Sequence, residues 1–462
     1  MNGLNLLFYP RSVAVIGASE DVRKPGYMFV RSMLDLKFKG EIYPVNPKAS
    51  EILGLKCYPN VSSIPGEVDL AILLIPVGKV LDVLVDCGRA GVKYVIVLTA
   101  GFSETGTKEG VERERKIVEV ARRYGMRIVG PNCMGIYCPS SGISLFAGLS
   151  NKPGDVAFIS QSGSLAAIFS LYLEMGYNVH MSKVVSIGNE CDVNSVELLE
   201  YFGEDEETRI IGAYIEGVKD GRRFMEAARK VTARKPVVVW KAGRTGEGAR
   251  AAASHTGSIA GSDAIWNAVF KQTGVVRALN FEELVDYVVT LRSLEELCGG
   301  RVAIVSSPGG LAVAATDACV EAGLEIAELK SETKEKIKKI IPEYGTSVRN
   351  PVDLGFGAVI PEIPVEVLRV LSDDPGVDVI LYVGGAPTAD VIRVTEMTAK
   401  MIVESGICSK KPLVATMPLG LLPAHLQRRF IEAGIPVYTS PERAARALAK
   451  AIKYHEYRRS QK

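Results

Sequence analysis

The residue best placed to do chemistry is a histidine set among small side chains. His255 lies in Gly246-Glu247-Gly248-Ala249-Arg250-Ala251-Ala252-Ala253-Ser254-His255-Thr256-Gly257-Ser258, a run with too few large apolar residues to form a packed strand. An imidazole on such a loop can act as nucleophile or proton carrier; a capping or loop-bracing role is the alternative. The other three histidines read differently. His180, in Tyr177-Asn178-Val179-His180-Met181, reads as structural, and His425 and His455 read as surface positions. Glu216 follows the apolar run Ile210–Ile215 and precedes Gly217. A carboxylate at the carboxyl end of a strand can accept from an imidazole N–H and fix its tautomer; a solvated loop glutamate is the alternative.

Two further runs suit anions. Phe158-Ile159-Ser160-Gln161-Ser162-Gly163-Ser164-Leu165 takes an apolar strand through Ser-Gly-Ser into a helical pattern. Free backbone N–H groups at a helix start, with hydroxyls beside them, make an anion site. A plain serine cap accounts for one of these serines but not for the whole run. Val305-Ser306-Ser307-Pro308-Gly309-Gly310-Leu311-Ala312 repeats the strand, Gly-rich turn and helix. A third turn, Gly17-Ala18-Ser19-Glu20, is not G-x-G-x-x-G, because Ser19 and Val22 stand two and five places after Gly17. The second strand ends in Val45-Asn46-Pro47-Lys48, without the acidic residue that holds a ribose in NAD sites. These departures oppose an NAD-linked oxidoreductase. Arg23, Lys24 and Lys48 near the same edge suit a phosphorylated nucleotide, or are simply solvated cations beside a tight turn.

The elements that position these residues follow one pattern. A short β-branched run, a Gly- or Pro-containing turn and an amphipathic stretch recur along all 462 residues. Ser12–Ile16, Glu41–Val45, Leu70–Ile75, Tyr94–Leu98 and Arg127–Val129 predict five strands of a first unit, with helices near Val80–Ala90 and Gly110–Tyr124. Pro139–Pro153, rich in Ser, Gly and Pro, reads as a connector. Asp155–Ser160, Lys183–Ser186, Ile210–Ile215 and Pro236–Trp240 predict strands of a second unit, with helices near Leu165–Leu173, Val196–Phe202 and Arg222–Val231 and a closing helix Phe281–Leu294. Arg301–Ser306, Glu325–Ala327, Val379–Val383, Pro412–Thr416 and Pro436–Tyr438 predict a third. Alternating strands and helices specify parallel sheets covered on both faces. The expected fold class is therefore α/β with three open parallel-sheet domains, at 1–138, 150–295 and 300–462, the first of them Rossmann-like.

Composition narrows the function classes. Lys+Arg number 55 and Asp+Glu 53, for a formal net charge of +2, so no nucleic-acid footprint is expected. No apolar stretch is long enough for a membrane span and no signal peptide is evident at Met1-Asn2-Gly3-Leu4, which predicts a cytoplasmic protein. The eight cysteines form no C-x-x-C and lie mostly in apolar segments, consistent with reduced, buried thiols. With four scattered histidines, no metal site is expected.

Taken together, Ala253-Ser254-His255-Thr256-Gly257-Ser258, Ser160-Gln161-Ser162-Gly163-Ser164, Gly130-Pro131-Asn132-Cys133-Met134-Gly135 and Asn350-Pro351-Val352-Asp353-Leu354 resemble a known family along the whole chain. It is the α subunit of ADP-forming (nucleoside-diphosphate-forming) acyl-CoA synthetases of the acetyl-CoA synthetase type, relatives of succinyl-CoA synthetase. The resemblance implies a CoA-binding first domain followed by two flavodoxin-like ligase domains. It implies reversible conversion of acyl-CoA, phosphate and ADP to acid, CoA and ATP through acyl phosphate and phosphohistidine. By that resemblance His255 is phosphorylated and Glu216 steadies it. Ser162, Gly163 and Ser164 bind phosphate at one helix start, and Ser307, Gly309 and Gly310 at another. Gly17, Ser19, Lys24, Asn46, Pro47 and Pro76 contact coenzyme A, and Asn132 approaches its thioester end. ADP/ATP with Mg belongs to a separate ATP-grasp β subunit, in an α2β2 assembly. A CoA-binding, sensing module of the same fold without catalysis is the alternative; the presence of both His255 and Glu216 argues against it.

Overall fold

Apolar runs closed by Gly, Pro or Asn form the strands of three sheets. They are seen in a computed structural model that describes residues 3–248, 250, 261–385, 390–417 and 422–461. His255 and its neighbours 251–260 lie outside the described residues.

The first sheet contains β1 (Ser12–Ile16), β2 (Glu41–Val45), β5 (Leu70–Leu73), β6 (Tyr94–Val97) and β7 (Arg127–Val129), with a small hairpin of β3 (Glu51–Ile52) and β4 (Leu55–Lys56) beside it. Its order is β2-β1-β5-β6-β7 and every pairing along it is parallel. The second sheet contains β8 (Gly135–Cys138), β9 (Ile143–Ser144), β10 (Val156–Ser160), β11 (Met181–Ser186), β12 (Ile210–Ile215), β13 (Val237–Lys241) and β14 (Val276–Ala278). Its order is β14-β13-β12-β10-β11-β8-β9, with β8 antiparallel to β11 and β9 antiparallel to β8. The third contains β15 (Arg301–Ser306), β16 (Glu325–Ile326), β17 (Val352–Asp353), β18 (Val379–Val383), β19 (Leu413–Thr416) and β20 (Val437–Tyr438). Its order is β16-β15-β18-β19-β20, and β17 pairs with the end of β15.

One arrangement is repeated three times. Leaving aside β17, the first strand of each parallel set (β1, β10, β15) lies between the second and the third, and the fourth and fifth follow outward. In such sheets the connections leave in opposite directions from the first strand, and the crevice beyond its carboxyl end is where ligands bind. The three glycine-rich turns singled out in the sequence follow these three first strands.

The chain divides into two compact units. One comprises Met1–Glu174 and Val179–Leu279 and holds the first two sheets; the other comprises Met175–Asn178 and Asn280–Lys462 and holds the third. In the first unit a continuous apolar core runs from Leu7, Phe8, Val13 and Phe29 through Ile96 and Ile136 to Ile159, Val185 and Phe202. Helix Phe281–Ser293, expected from the sequence to close the second sheet's domain, lies instead in the unit that holds the third sheet and packs on helix Pro441–Ser460. Arg443 on that helix grips the buried carboxylate of Asp286 through two bonds, of 2.9 and 2.6 Å.

Two expectations are corrected. Pro139–Pro153 is more than a connector: it carries β9 and buries Ile143, Leu145 and Phe146, so a polar, glycine-rich composition conceals a hairpin at the sheet edge. His455 is not at the surface. It is 5% exposed, and its Nε2 lies 3.1 Å from the Leu294 carbonyl oxygen. His425 is exposed. Among the described residues no helix is long and apolar enough to cross a membrane.

Candidate active site

The carboxyl edge of the first sheet is built from backbone that side chains would obstruct. Gly17 has φ +92°, its N–H donates to the Val45 carbonyl at 3.0 Å, and a Cβ there would fall 2.4 Å from the Leu74 oxygen. Gly26, second residue of helix Pro25–Asp35, lets that helix start directly on the turn: its Cβ would meet the Gly17 oxygen at 2.1 Å. Asn46 ties the first two turns together, donating from Nδ2 to the Ala18 carbonyl at 2.9 Å while its Oδ1 accepts from Lys48 N–H at 2.9 Å. The Ser19 hydroxyl accepts from Asp21 N–H, and Asp21 pairs with Arg23 at 3.0 Å. Lys24, Pro47 and Pro76 are exposed at the same strand ends. Asn132 follows β7 in the left-handed region at φ +55°, and its N–H donates to the Thr99 carbonyl at 3.1 Å. The fold thus gathers Gly17, Ser19, Lys24, Asn46, Pro47, Pro76 and Asn132 along one sheet edge, where the exposed Lys24 cation suits a phosphorylated nucleotide.

The second sheet presents its own turn. Ser160 locks it: its Oγ donates to the Ser162 carbonyl at 2.6 Å and accepts from Ser162 N–H at 3.1 Å. Helix Gly163–Tyr177 starts there, and Ser162 Oγ lies 3.5 Å from both Leu165 N–H and Ser164 Oγ. That capping distance is long, so the hydroxyls and first N–H groups remain available to an anion. Gly163 touches the loop after β7: a Cβ there would lie 2.1 Å from Met134 Cγ. The turn therefore abuts the segment that Asn132 begins.

Glu216 stands directly beyond β12, which pairs with β10 through Tyr214↔Ser160. It is 3% exposed, which rules out a solvated loop residue. Its Oε1 accepts from the Tyr214 hydroxyl at 3.2 Å. Burial, and then the Glu216 charge, push the Tyr214 phenol well above its ordinary range, so Tyr214 stays a donor. Lys241, at the end of β13 in register with Ile215, is also buried; its ammonium donates to the Ala242 carbonyl and sits 5.4 Å over the Trp266 ring. Burial lowers the Lys241 pKa, while the charges of Asp263 and Glu216 act to raise it. A buried cation thus accompanies the buried carboxylate, just before the segment that contains His255.

In the second unit the Ser307 hydroxyl donates to the Gly385 carbonyl at 2.8 Å, and Gly309 and Gly310 are exposed at the start of helix Gly309–Glu321. Asp353 stands beside that start: a Cβ on Gly309 would lie 2.9 Å from its Oδ2. The positive end of this helix already faces a carboxylate.

Sequence reasoning missed Gln161, Glu190, Lys241 and Asp353 as members of these sites. Gln161 and Asp353 lay inside recognised motifs. Glu190 had no local signal, since its inward direction comes from a left-handed backbone at φ +58°.

Known proteins match the same arrangement. The family described as CoA binding domain matches residues 11–139, that described as succinyl-CoA ligase like flavodoxin domain matches 153–291, and that described as ligase-CoA domain matches 302–454. The α subunit of acetate–CoA ligase [ADP-forming] I of Pyrococcus furiosus is 41% identical over 468 residues, covering 99% of each chain. The α subunit of acetate–CoA ligase [ADP-forming] II of the same organism is 40% identical over 446 residues, covering 96% of each. Among solved structures, acetyl-coenzyme A synthetase 1 of Ca. Korarchaeum cryptofilum, in complex with phosphate and ADP, superposes with a TM-score of 0.89 at 38% identity, over 99% of this chain and 98% of that one. Sequence motifs, three repeated sheets and these full-length matches lead to one conclusion: the chain belongs to the family of ADP-forming acetate–CoA ligase α subunits.

Proposed function

We propose that this chain is the acyl-CoA- and phosphate-handling subunit of an ADP-forming acyl-CoA synthetase, with acetyl-CoA as acyl donor. Coenzyme A lies along the edge formed by Gly17, Ser19, Lys24, Asn46, Pro47 and Pro76, its thioester end toward Asn132. Phosphate rests on the helix start at Ser162, Gly163 and Ser164; Ser307, Gly309 and Gly310 are a second phosphate-binding helix start. A phosphate oxygen attacks the thioester carbonyl, the C–S bond breaks, CoA leaves as the thiol and acyl phosphate forms. N–H dipoles at a helix start stabilise the charge that develops on the way. A ring nitrogen of His255 then attacks phosphorus, the bond to the acyl oxygen breaks and the acid leaves. Glu216 holds the other ring nitrogen's proton, keeping the attacking nitrogen unprotonated. The phosphoryl group passes to ADP, bound with Mg on a separate ATP-grasp β subunit in an α2β2 assembly in the cytoplasm.

The observation that carries this reading is the contact of Gly163 with Met134, because a phosphate that attacks a thioester must reach it. The test uses the chain with its β partner, acetyl-CoA and labelled phosphate. Acid-labile, base-stable label should appear on this chain and vanish in His255→Ala. Label retained in that variant would overturn the phosphohistidine assignment. No label in the wild type would leave a CoA-binding module without catalysis.

A further inference from the structure

Gln161 follows β10 and points into the protein, 6% exposed, between two buried glutamates. Its Oε1 accepts from Glu216 N–H at 2.5 Å and Gly217 N–H at 3.2 Å. Its Nε2 donates to the Gly217 carbonyl and to Glu190 Oε2, both at 2.9 Å. Every polar atom of the amide is used, and only an amide offers an acceptor on one side and two donated protons on the other. The far partner is equally fixed. Glu190, 4% exposed, accepts through Oε1 from the Ser195 hydroxyl at 2.7 Å and from Ser195 N–H, while its carbonyl accepts from Lys219 Nζ at 2.6 Å.

The residue before Glu190 reaches the first sheet. Asn189 N–H donates to the Pro131 carbonyl at 3.0 Å, and its Oδ1 lies 3.4 Å from Asn132 Nδ2. Its Nδ2 donates to Glu104 Oε2 at 2.5 Å and Glu114 Oε2 at 2.9 Å. Glu104 in turn accepts from Gly101 N–H at 2.5 Å, in the turn after β6. One hydrogen-bonded path therefore runs from the turns after β6 and β7, through Asn189 and Glu190, to Gln161 and the backbone of Glu216.

We propose that Gln161 is a positioning residue for Glu216: its amide fixes the peptide that carries this carboxylate and couples it, through Glu190 and Asn189, to the edge where the thioester end of CoA rests. The proposal builds on the function proposed above. It separates two roles for the serine-rich turn, the hydroxyls facing phosphate outside and the amide holding the carboxylate inside.

The test is Gln161→Glu in the complete enzyme, read by labelling of this chain from acetyl-CoA and phosphate. As a carboxylate, Glu at 161 still accepts from the two N–H groups, but its second oxygen faces Glu190 Oε2 and the Gly217 carbonyl, and only the protonated acid, with its single O–H, can donate to one of them. Labelling should fall roughly a hundredfold at about pH 8, as expected for a misplaced catalytic group, and should recover relative to wild type as the pH falls toward about 6. The affinity for CoA should stay unchanged, which shows that the fold survives. The double variant Gln161→Glu with Glu190→Gln should regain labelling at the higher pH, because the new amide donates to the new carboxylate. Wild-type labelling in Gln161→Glu, or a loss that neither pH nor the second substitution alters, would overturn the proposal alone. A wild-type enzyme that takes no label would refute the proposed function and this role with it.

Discussion

Gly26→Ala is the sharpest test of how the first sheet makes its ligand edge. The added methyl would lie 2.1 Å from the Gly17 carbonyl oxygen and 3.0 Å from Ala18 Cα. Relief requires the turn and the helix to separate by about 1.3 Å or more to reach an ordinary contact. The turn cannot yield: Gly17 is bonded to Val45 and lies against the Leu74 carbonyl. The helix must retreat, although Phe29, Val30 and Met33 anchor it in the core. Overpacking of this kind costs about 1–3 kcal/mol, and alanine returns up to ~1 kcal/mol over glycine in a helix, so the domain stays folded. Its ligand edge does not stay intact, because the helix start moves away from the turn that frames the site. Loss of one charge-assisted bond to a CoA phosphate, about 1.5–3 kcal/mol, weakens CoA binding by roughly 10- to 100-fold. Isothermal titration with CoA measures this. Gly221→Ala, where an added methyl meets nothing within 4 Å, is the control and should bind CoA as the wild type does. Unchanged affinity in Gly26→Ala, or equal weakening in Gly221→Ala, would refute the reasoning.

Glu216→Gln should slow labelling of the chain while leaving CoA affinity intact; an unchanged rate would remove Glu216 from the mechanism. Arg443→Met should lower the unfolding midpoint of the second unit, because it strands the Asp286 carboxylate, whose pKa burial already raises; breaking such a pair costs about 3–5 kcal/mol, and an unchanged midpoint would contradict this. His455 has its pKa lowered below 6.5 by burial, so the folded state favours the neutral ring. The stability it contributes is complete above that value and is lost as the pH falls through the lowered pKa. His455→Gln should therefore flatten the acid side of the stability profile as the pH falls below 6.5; identical profiles would remove His455 from it.

Most of the fold was legible because parallel strands buried on both faces read as unbroken apolar runs, such as Ser12–Ile16 and Ile210–Ile215. Among the two- and three-residue strands, β7, β16 and β20 were expected, but others left no such run. β14 and β17 owe their pairing to neighbours remote in sequence: Val276 faces Val238, and Val352 faces Val305. His455 looked superficial because its helix is rich in charge; only packing against the Leu294 segment buries it. At the candidate site, the turns were legible as local chemistry, Ser-Gly-Ser before a helix and Gly-Ala-Ser after a strand. The interior was not. Gln161 bonds to residues 29 and 55 positions away, and no local pattern records which buried amide will meet which carboxylate. Lys241 closes a valine-rich strand, where its charge suggests the start of solvent, yet Trp266 and Ala242 receive it inside.

The clasp between Arg443 and Asp286 also bears on how the second unit is made by the ribosome. Helix Pro441–Ser460 packs on Phe281–Ser293 and on Gly309–Glu321, two of the first helices of that unit to be synthesised. Those two apolar faces wait uncovered through the synthesis of more than a hundred residues. The first two sheets can close while translation continues, but the third cannot until residues 441–460 have left the exit tunnel. In the nascent protein, this half therefore keeps apolar helix faces exposed until its last helix is made.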